Sequence, residues 1–170
     1  MGMQLVEVIE VGSGGAASIE FTGIPQDGVD LLLMFSARVD RVGSGFVDYS
    51  LHLNSETTGT NYGYITLLGT GSSVLSYSGT VARFTMEIND STSTSNTFCN
   101  SSVYFSNYTS SAAKSVSIDS VGENNATASR QEITAGSWNN TAAITSITLK
   151  HSANNTAQYS TASLYKITAD

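Results

Sequence analysis

The chain has 170 residues, a formal net charge of −7 and a charged fraction of only 12%, about half the usual share of a soluble domain. This length fits one domain, residues 1–170, with a hydrophobic core of its own. Phosphate backbones and anionic membranes attract clustered cations, and the sequence has no run of Lys or Arg, so we expect neither nucleic acid nor a membrane as a partner. Eight Tyr, six Phe and many β-branched residues exclude a disordered chain.

The first half of the chain predicts short β-strands, because apolar and polar residues alternate between clusters of Gly, Ser and Asn. The third of these strands is apolar at both odd and even positions, which predicts that both of its faces are covered. A loop rich in Gly and Ser, through Ser73, follows the fifth strand. The predicted strands are Gln4–Val11, Ala17–Thr22, Val29–Arg38, Phe46–Asn54, Tyr62–Leu68 and Val81–Asn89.

The second half of the chain continues the same pattern, with a predicted turn at Gly122–Asn125. Its predicted strands are Thr97–Ser106, Lys114–Val121, Ser129–Trp138, Ala143–His151 and Tyr159–Ile167. Helical periodicity of any length is missing from the sequence, and no change of composition marks a second domain. The pattern therefore predicts an all-β fold, an antiparallel two-sheet sandwich.

The sequence gives little support to catalysis or metal binding. Asp48, Ser50 and His52 share one face of a predicted strand, but a catalytic triad places the His between nucleophile and acid, and here the Ser lies between them. His52 and His151 lack the spacing of zinc ligands. Cys99 is the only cysteine and is expected to be a small buried residue. We expect no enzyme activity, no metal and no cofactor.

Aromatic residues of two predicted strands raise the question of a sugar-stacking surface. Tyr62 and Tyr64 share one strand face, and Trp138 could join them. Aromatic residues are common in strands for packing reasons alone, so a position in the core or at its rim is the favoured interpretation.

The first predicted strand carries apolar residues on both faces, more than a lone edge strand should expose. These residues are Leu5, Val6, Val8, Ile9 and Val11. One interpretation is a partner interface, covered by a neighbouring subunit; the other is an interior strand of the sandwich itself.

Several stretches together resemble a group of short structural proteins of tailed bacteriophages, frequent in aquatic and cyanobacterial phages. The resemblance extends from about Ser18 to Ile167 and is weakest over Ser55–Asn96. The stretches are Ser18–Pro25, Asp30–Arg38, Asn107–Ser110, Glu123–Thr127, Ala143–Leu149 and Gln158–Tyr165. The resemblance implies a jelly-roll sandwich located in the virion.

Within that group, the resemblance implies a capsid cement (decoration) protein on the outer capsid surface. Such a protein is expected to be a homotrimer that clamps subunits of the major capsid protein. The alternative is a tail-appendage protein, that is, a tail-fibre or receptor- and carbohydrate-binding module. The number of copies per virion separates the two, because a cement protein is present in hundreds and a tail part in a handful.

Overall fold

The computed structural model describes residues 2–57, 59–124 and 128–169. In these ranges there is no helix, and hence none that could span a membrane. Twelve antiparallel strands form two sheets, which confirms the predicted all-β two-sheet sandwich. The strands are β1 (Gly2–Glu10), β2 (Ile19–Thr22), β3 (Asp30–Ser36), β4 (Phe46–Leu53), β5 (Tyr62–Gly69), β6 (Val74–Val81), β7 (Phe84–Asn89), β8 (Asn100–Phe105), β9 (Lys114–Glu123), β10 (Ser129–Trp138), β11 (Ser146–Lys150) and β12 (Thr161–Thr168).

The two sheets differ in width. The large sheet has the order β1-β12-β3-β8-β9-β10-β5-β6, and the small sheet has the order β2-β11-β4-β7. From β1 to β4 the chain changes sheet at every connection, whereas the hairpins β5–β6 and β9–β10 stay within the large sheet. The two hairpins pair with each other through β10 and β5, and together they extend the large sheet from four strands to eight. We call the outermost strands β10, β5 and β6 the wing.

The core lies between the sheets and follows from the alternation in the sequence. On β9, for example, Val116 and Ile118 are buried, and Ser117 between them is exposed. The ring of Tyr62 meets Phe84 edge-on, with 5.0 Å between ring centroids, and this contact joins the wing to the small sheet. Apolar burial of this kind contributes about 25 cal/mol per Å² and is the main stabilising term of the fold.

Side chains of the large sheet close the edge of the small sheet. The backbone N–H of Glu87 on β7 donates to Oε2 of Glu132 at 2.8 Å, and the hydroxyl of Ser120 donates to the carbonyl of Glu87 at 3.2 Å. Arg130 adds an ion pair with the Glu87 carboxylate at 2.7 Å. Because an open strand edge invites pairing with other chains, these contacts protect β7.

A buried lysine fastens the loops at one end of the sandwich. Lys114 is only 1% exposed, and its ammonium donates to the carbonyl oxygens of Ser110, Ala112 and Ala142 at 2.6–2.8 Å. The same Nζ lies 5.6 Å from the centre of the Trp138 ring. Burial lowers the pKa of Lys114, and the carbonyl oxygens supply the hydrogen bonds that a buried ammonium needs.

The structure corrects several predicted boundaries. Strand β6 was not predicted, and its end at Val81 was assigned to the following strand, which in fact begins at Phe84. Nearly all of β6 is exposed, so burial imposes no alternation on its sequence. Gly122 lies in β9 opposite Arg130 rather than in a turn, and Asn125 of that predicted turn lies outside the described residues, as do residues 126 and 127 of the phage-like stretch.

Candidate functional site

The outer face of the large sheet, which points away from the small sheet, carries most of the exposed large hydrophobic side chains of the described residues. Residues directly opposite each other in an antiparallel ladder share a face, so one row runs across the sheet from Val8 through Met34 to Ile133 and Leu67. Nine exposed large hydrophobic residues lie on this face: Met3, Leu5, Val8, Met34, Ile65, Leu67, Val74, Val121 and Ile133. Scattered exposed apolar residues are ordinary, but nine on one face mark an interaction surface.

The charges of the outer face have one sign. The side chains on it that are charged at neutral pH include the carboxylates of Glu10, Asp30, Asp119 and Glu123, as their ladder positions show. The seven Lys and Arg residues of the chain lie in loops, on the small sheet or on the inner face of the large sheet. Ser, Thr, Asn and Gln fill most of the remaining positions, so burying this face removes few charges from water.

The proposed interface residues of β1 do not all reach this face. Leu5 and Val8 are 55% and 53% exposed on it, whereas Val6 and Ile9 pack against the core and Val11 is 3% exposed. A register shift between Leu5 and Glu7 brings both sets of side chains into place. Strand β1 pairs with β12 alone and so forms an edge of the sheet. The apolar residues on the two faces of this segment therefore have different roles: one set contributes to the core, and the other is exposed at the edge of the sheet.

The three aromatic residues considered for sugar stacking do not come together at the surface. Tyr62 and Trp138 are fully buried, with the Tyr62 hydroxyl bonded to the backbone N–H of Leu53 at 2.8 Å and the Trp138 indole N–H bonded to Glu56 at 2.9 Å. Only Tyr64 reaches solvent. The favoured interpretation, core aromatics, holds for Tyr62 and Trp138.

The two histidines and the cysteine singled out in the sequence are held in structural contacts. Nδ1 of His52 lies 2.9 Å from the carbonyl oxygen of Glu56, and Nδ1 of His151 accepts the backbone N–H groups of Ala153 and Asn154. Burial lowers the pKa of both histidines. Cys99 is buried as expected, and its burial raises the pKa of the thiol to about 11. In the part of the chain that the structure describes, no three His, Cys, Asp or Glu side chains group as metal ligands.

A cleft opens on the other side of the wing, between the inner face of β5 and β6 and the outer face of the small sheet. Its volume is about 270 Å³. The large sheet contributes Tyr64, Thr66, Tyr77 and Glu132, and the small sheet contributes Asp48, Thr85 and Glu87. We call it the wing cleft. The sequence did not reveal it, because it forms only where the unpredicted strand β6 lies beside β5.

Comparisons with known proteins do not assign a function to the chain, so any functional proposal must rest on its sequence and its geometry. No family model, no curated protein and no solved structure matches it. The outer face of the large sheet and the wing cleft are therefore the two surfaces on which a function can be argued.

Proposed function

We propose that this chain is a structural protein of a tailed-phage virion, a capsid cement protein that binds the major capsid protein on the outer surface of the capsid. The outer face of the large sheet is its docking surface, and no catalytic step is involved. The observation that carries the proposal is the uncovered, cation-free apolar face. The phage resemblance of the sequence supplies the identity of the partner.

The strand order supports the jelly-roll part of this proposal. Without the hairpins β5–β6 and β9–β10, the sheets have the orders β1-β12-β3-β8 and β2-β11-β4-β7. Eight strands in two four-stranded sheets, with the chain changing sheet at every connection except the one from β4 to β7, form the arrangement found in viral capsid domains of jelly-roll type. The two hairpins then widen one sheet only, and it is this widened sheet that offers the docking surface.

The size and charge of the face fit a protein partner. Eight strands spaced by about 4.8 Å span roughly 38 Å, and the ladders run about 20 Å along the strands, which gives roughly 750 Å². A standard interface buries about 800 Å² on each partner. Because the face carries carboxylates and, among the described residues, no Lys or Arg, it favours a neutral or basic partner surface; like charges across an interface lower the affinity.

The proposal includes a homotrimer, as expected for a protein that clamps subunits around a local three-fold axis. Analytical ultracentrifugation then gives three times the chain mass of 17.9 kDa. A monomer at micromolar concentration would contradict the trimer and leave the docking face to be tested separately.

The direct test uses empty capsids assembled from the major capsid protein of the same virus. Ile133 is 53% exposed on the outer face, between Asp119 of β9 and Leu67 of β5, so I133D should leave folding intact and weaken co-sedimentation with capsids at least tenfold. The matched control is V42D, since Val42 is 82% exposed in a loop away from this face. Unchanged binding of I133D would refute the docking face. A handful of copies per virion, instead of hundreds, would replace cement with a tail appendage.

A further inference from the structure

The wing cleft lies on a face that the proposed docking leaves open. Its floor is the inner face of β5 and β6, which projects past the edge strand β7 of the small sheet. Its wall is the outer face of β4 and β7, where Asp48 and Glu87 lie directly opposite each other. The cleft is thus lined by strand residues of both sheets and by no loop residue.

Two tyrosines lie at diagonally neighbouring positions on the floor. Tyr64 lies opposite Gly79 in the β5–β6 ladder, and Tyr77 lies opposite Thr66. A Cβ atom at Gly79 would come within 3.3 Å of the Tyr64 ring, so the ring lies across the glycine backbone. Gly79 has no positive φ, and we attribute its place here to this close approach. The two rings are diagonal neighbours on one face, about 7–8 Å apart at their backbones.

The cleft presents hydrogen-bonding groups that the protein does not use itself. Among the described residues, the Asp48 carboxylate and the hydroxyl groups of Tyr64, Tyr77 and Thr85 have no partner within the chain. By contrast, Thr66 is bonded to Thr134 at 2.5 Å, and Glu132 and Glu87 are engaged at the edge of β7. The unused groups include both donors and acceptors, and all of them line the same cleft.

The charge of the cleft restricts the class of ligand. Glu87 is neutralised by Arg130, Glu132 accepts a backbone N–H, and Asp48 is left as the open carboxylate. The open carboxylate repels phosphate, sulfate and acidic sugars. Among the described residues that line the cleft there is no Lys or Arg that could attract them. A neutral molecule with many hydroxyl groups satisfies the unused donors and acceptors and places its C–H faces on the tyrosine rings.

We propose that the wing cleft binds a neutral saccharide, with Tyr64 and Tyr77 contacting the face of one sugar ring and Asp48 accepting hydrogen bonds from its hydroxyl groups. The volume of about 270 Å³ lies at the lower end of small-molecule sites, which suits one sugar unit at the end of a glycan. This function is additional to capsid docking and uses the opposite face of the wing.

The test is saturation-transfer NMR with the full chain and four probes at millimolar concentration: the methyl glycosides of glucose, galactose, mannose and N-acetylglucosamine. At least one should bind, and Y77A and D48N should each weaken that binding about tenfold. Tyr77 is 48% exposed and Asp48 is exposed, so both variants should keep the wild-type melting temperature. Y159A is the matched control, because Tyr159 is 63% exposed and lies outside the cleft.

A third variant tests the geometry of the rings. G79A places a methyl group against the Tyr64 ring and should also weaken sugar binding, without removing any group that contacts the sugar. Failure of all four glycosides to bind would overturn the proposal, as would binding that survives Y77A. Binding of tetramethylammonium in place of the sugars would show a site for organic cations instead. None of these results depends on capsid binding, which I133D measures on the other face.

Discussion

Replacing Glu132 by Gln should stabilise this protein at neutral and alkaline pH. Glu132 is 6% exposed at the junction of the two sheets. Burial raises the pKa of its carboxyl group to about 7, and the nearby charges of Glu87 and Asp48 act in the same direction. Gln keeps an oxygen that can accept the backbone N–H of Glu87, and it removes the charge.

The size and the sign of the effect follow from the two pKa values. A pKa of about 7 in the folded state against 4.5 in the unfolded chain corresponds to about 3 kcal/mol once the carboxyl is ionised. Because the folded state holds this proton more tightly, ionisation destabilises the fold progressively as the pH rises from about 4.5 to about 7. The wild-type protein should therefore lose up to about 3 kcal/mol relative to E132Q between pH 4.5 and pH 8.

Urea unfolding measured by the fluorescence of Trp138, the single and fully buried tryptophan, checks this directly. The free energy of unfolding of the two proteins is compared at several pH values, so that the titration of all other groups cancels. E7Q is the matched control, because Glu7 is exposed on β1. A difference between wild type and E132Q that stays constant with pH, or that shrinks as the pH rises, would refute the role assigned to Glu132.

Two substitutions and one reactivity measurement test the packing of the sandwich. K114M removes the ammonium that binds carbonyl oxygens of two loops and should lower the free energy of unfolding by about 3 kcal/mol in urea titrations. G136A places a Cβ atom 2.7 Å from Cε1 of the buried Phe84 ring and should cost about 1–3 kcal/mol, measured in the same way. Cys99 should react with a thiol reagent such as dithionitrobenzoate far more slowly in the folded protein than in urea, since burial raises its pKa and the thiolate is the reactive form.

Each of these three predictions has a comparison that can contradict it. K166M is the control for K114M, because Lys166 pairs with the exposed Asp27 and should cost little. G12A is the control for G136A, since a Cβ atom at Gly12 meets nothing within 4 Å. If a variant and its control lower the free energy of unfolding equally, the buried contact that the variant changes does not stabilise the fold as we infer. Rapid reaction of Cys99 in the folded protein would contradict its burial.

The sequence by itself determined the fold class, because alternation with period two records which side of each strand is buried. Val116 and Ile118 on β9, or Phe84, Met86 and Ile88 on β7, are spaced as a buried strand face requires. Gly and Ser clusters likewise marked most turns. Where burial leaves no pattern, prediction failed: β6 is exposed almost throughout, and its sequence was not recognised as a strand.

Only the tertiary structure decided which surfaces are open to partners. The apolar residues of the first predicted strand, Gln4–Val11, gave no indication of which would be buried. A register shift in β1 places Leu5 at the surface and Val11 in the core, although both have the same parity in the sequence. Ile133 and Leu67 become neighbours through the pairing of β10 with β5, strands far apart in sequence. The wing cleft depends on residues that two different sheets bring together. The aromatic residues that line it were distinguished from Tyr62 and Trp138 only by the packing of the core. Local propensity acts within a strand, whereas a binding surface arises from the order in which strands pair.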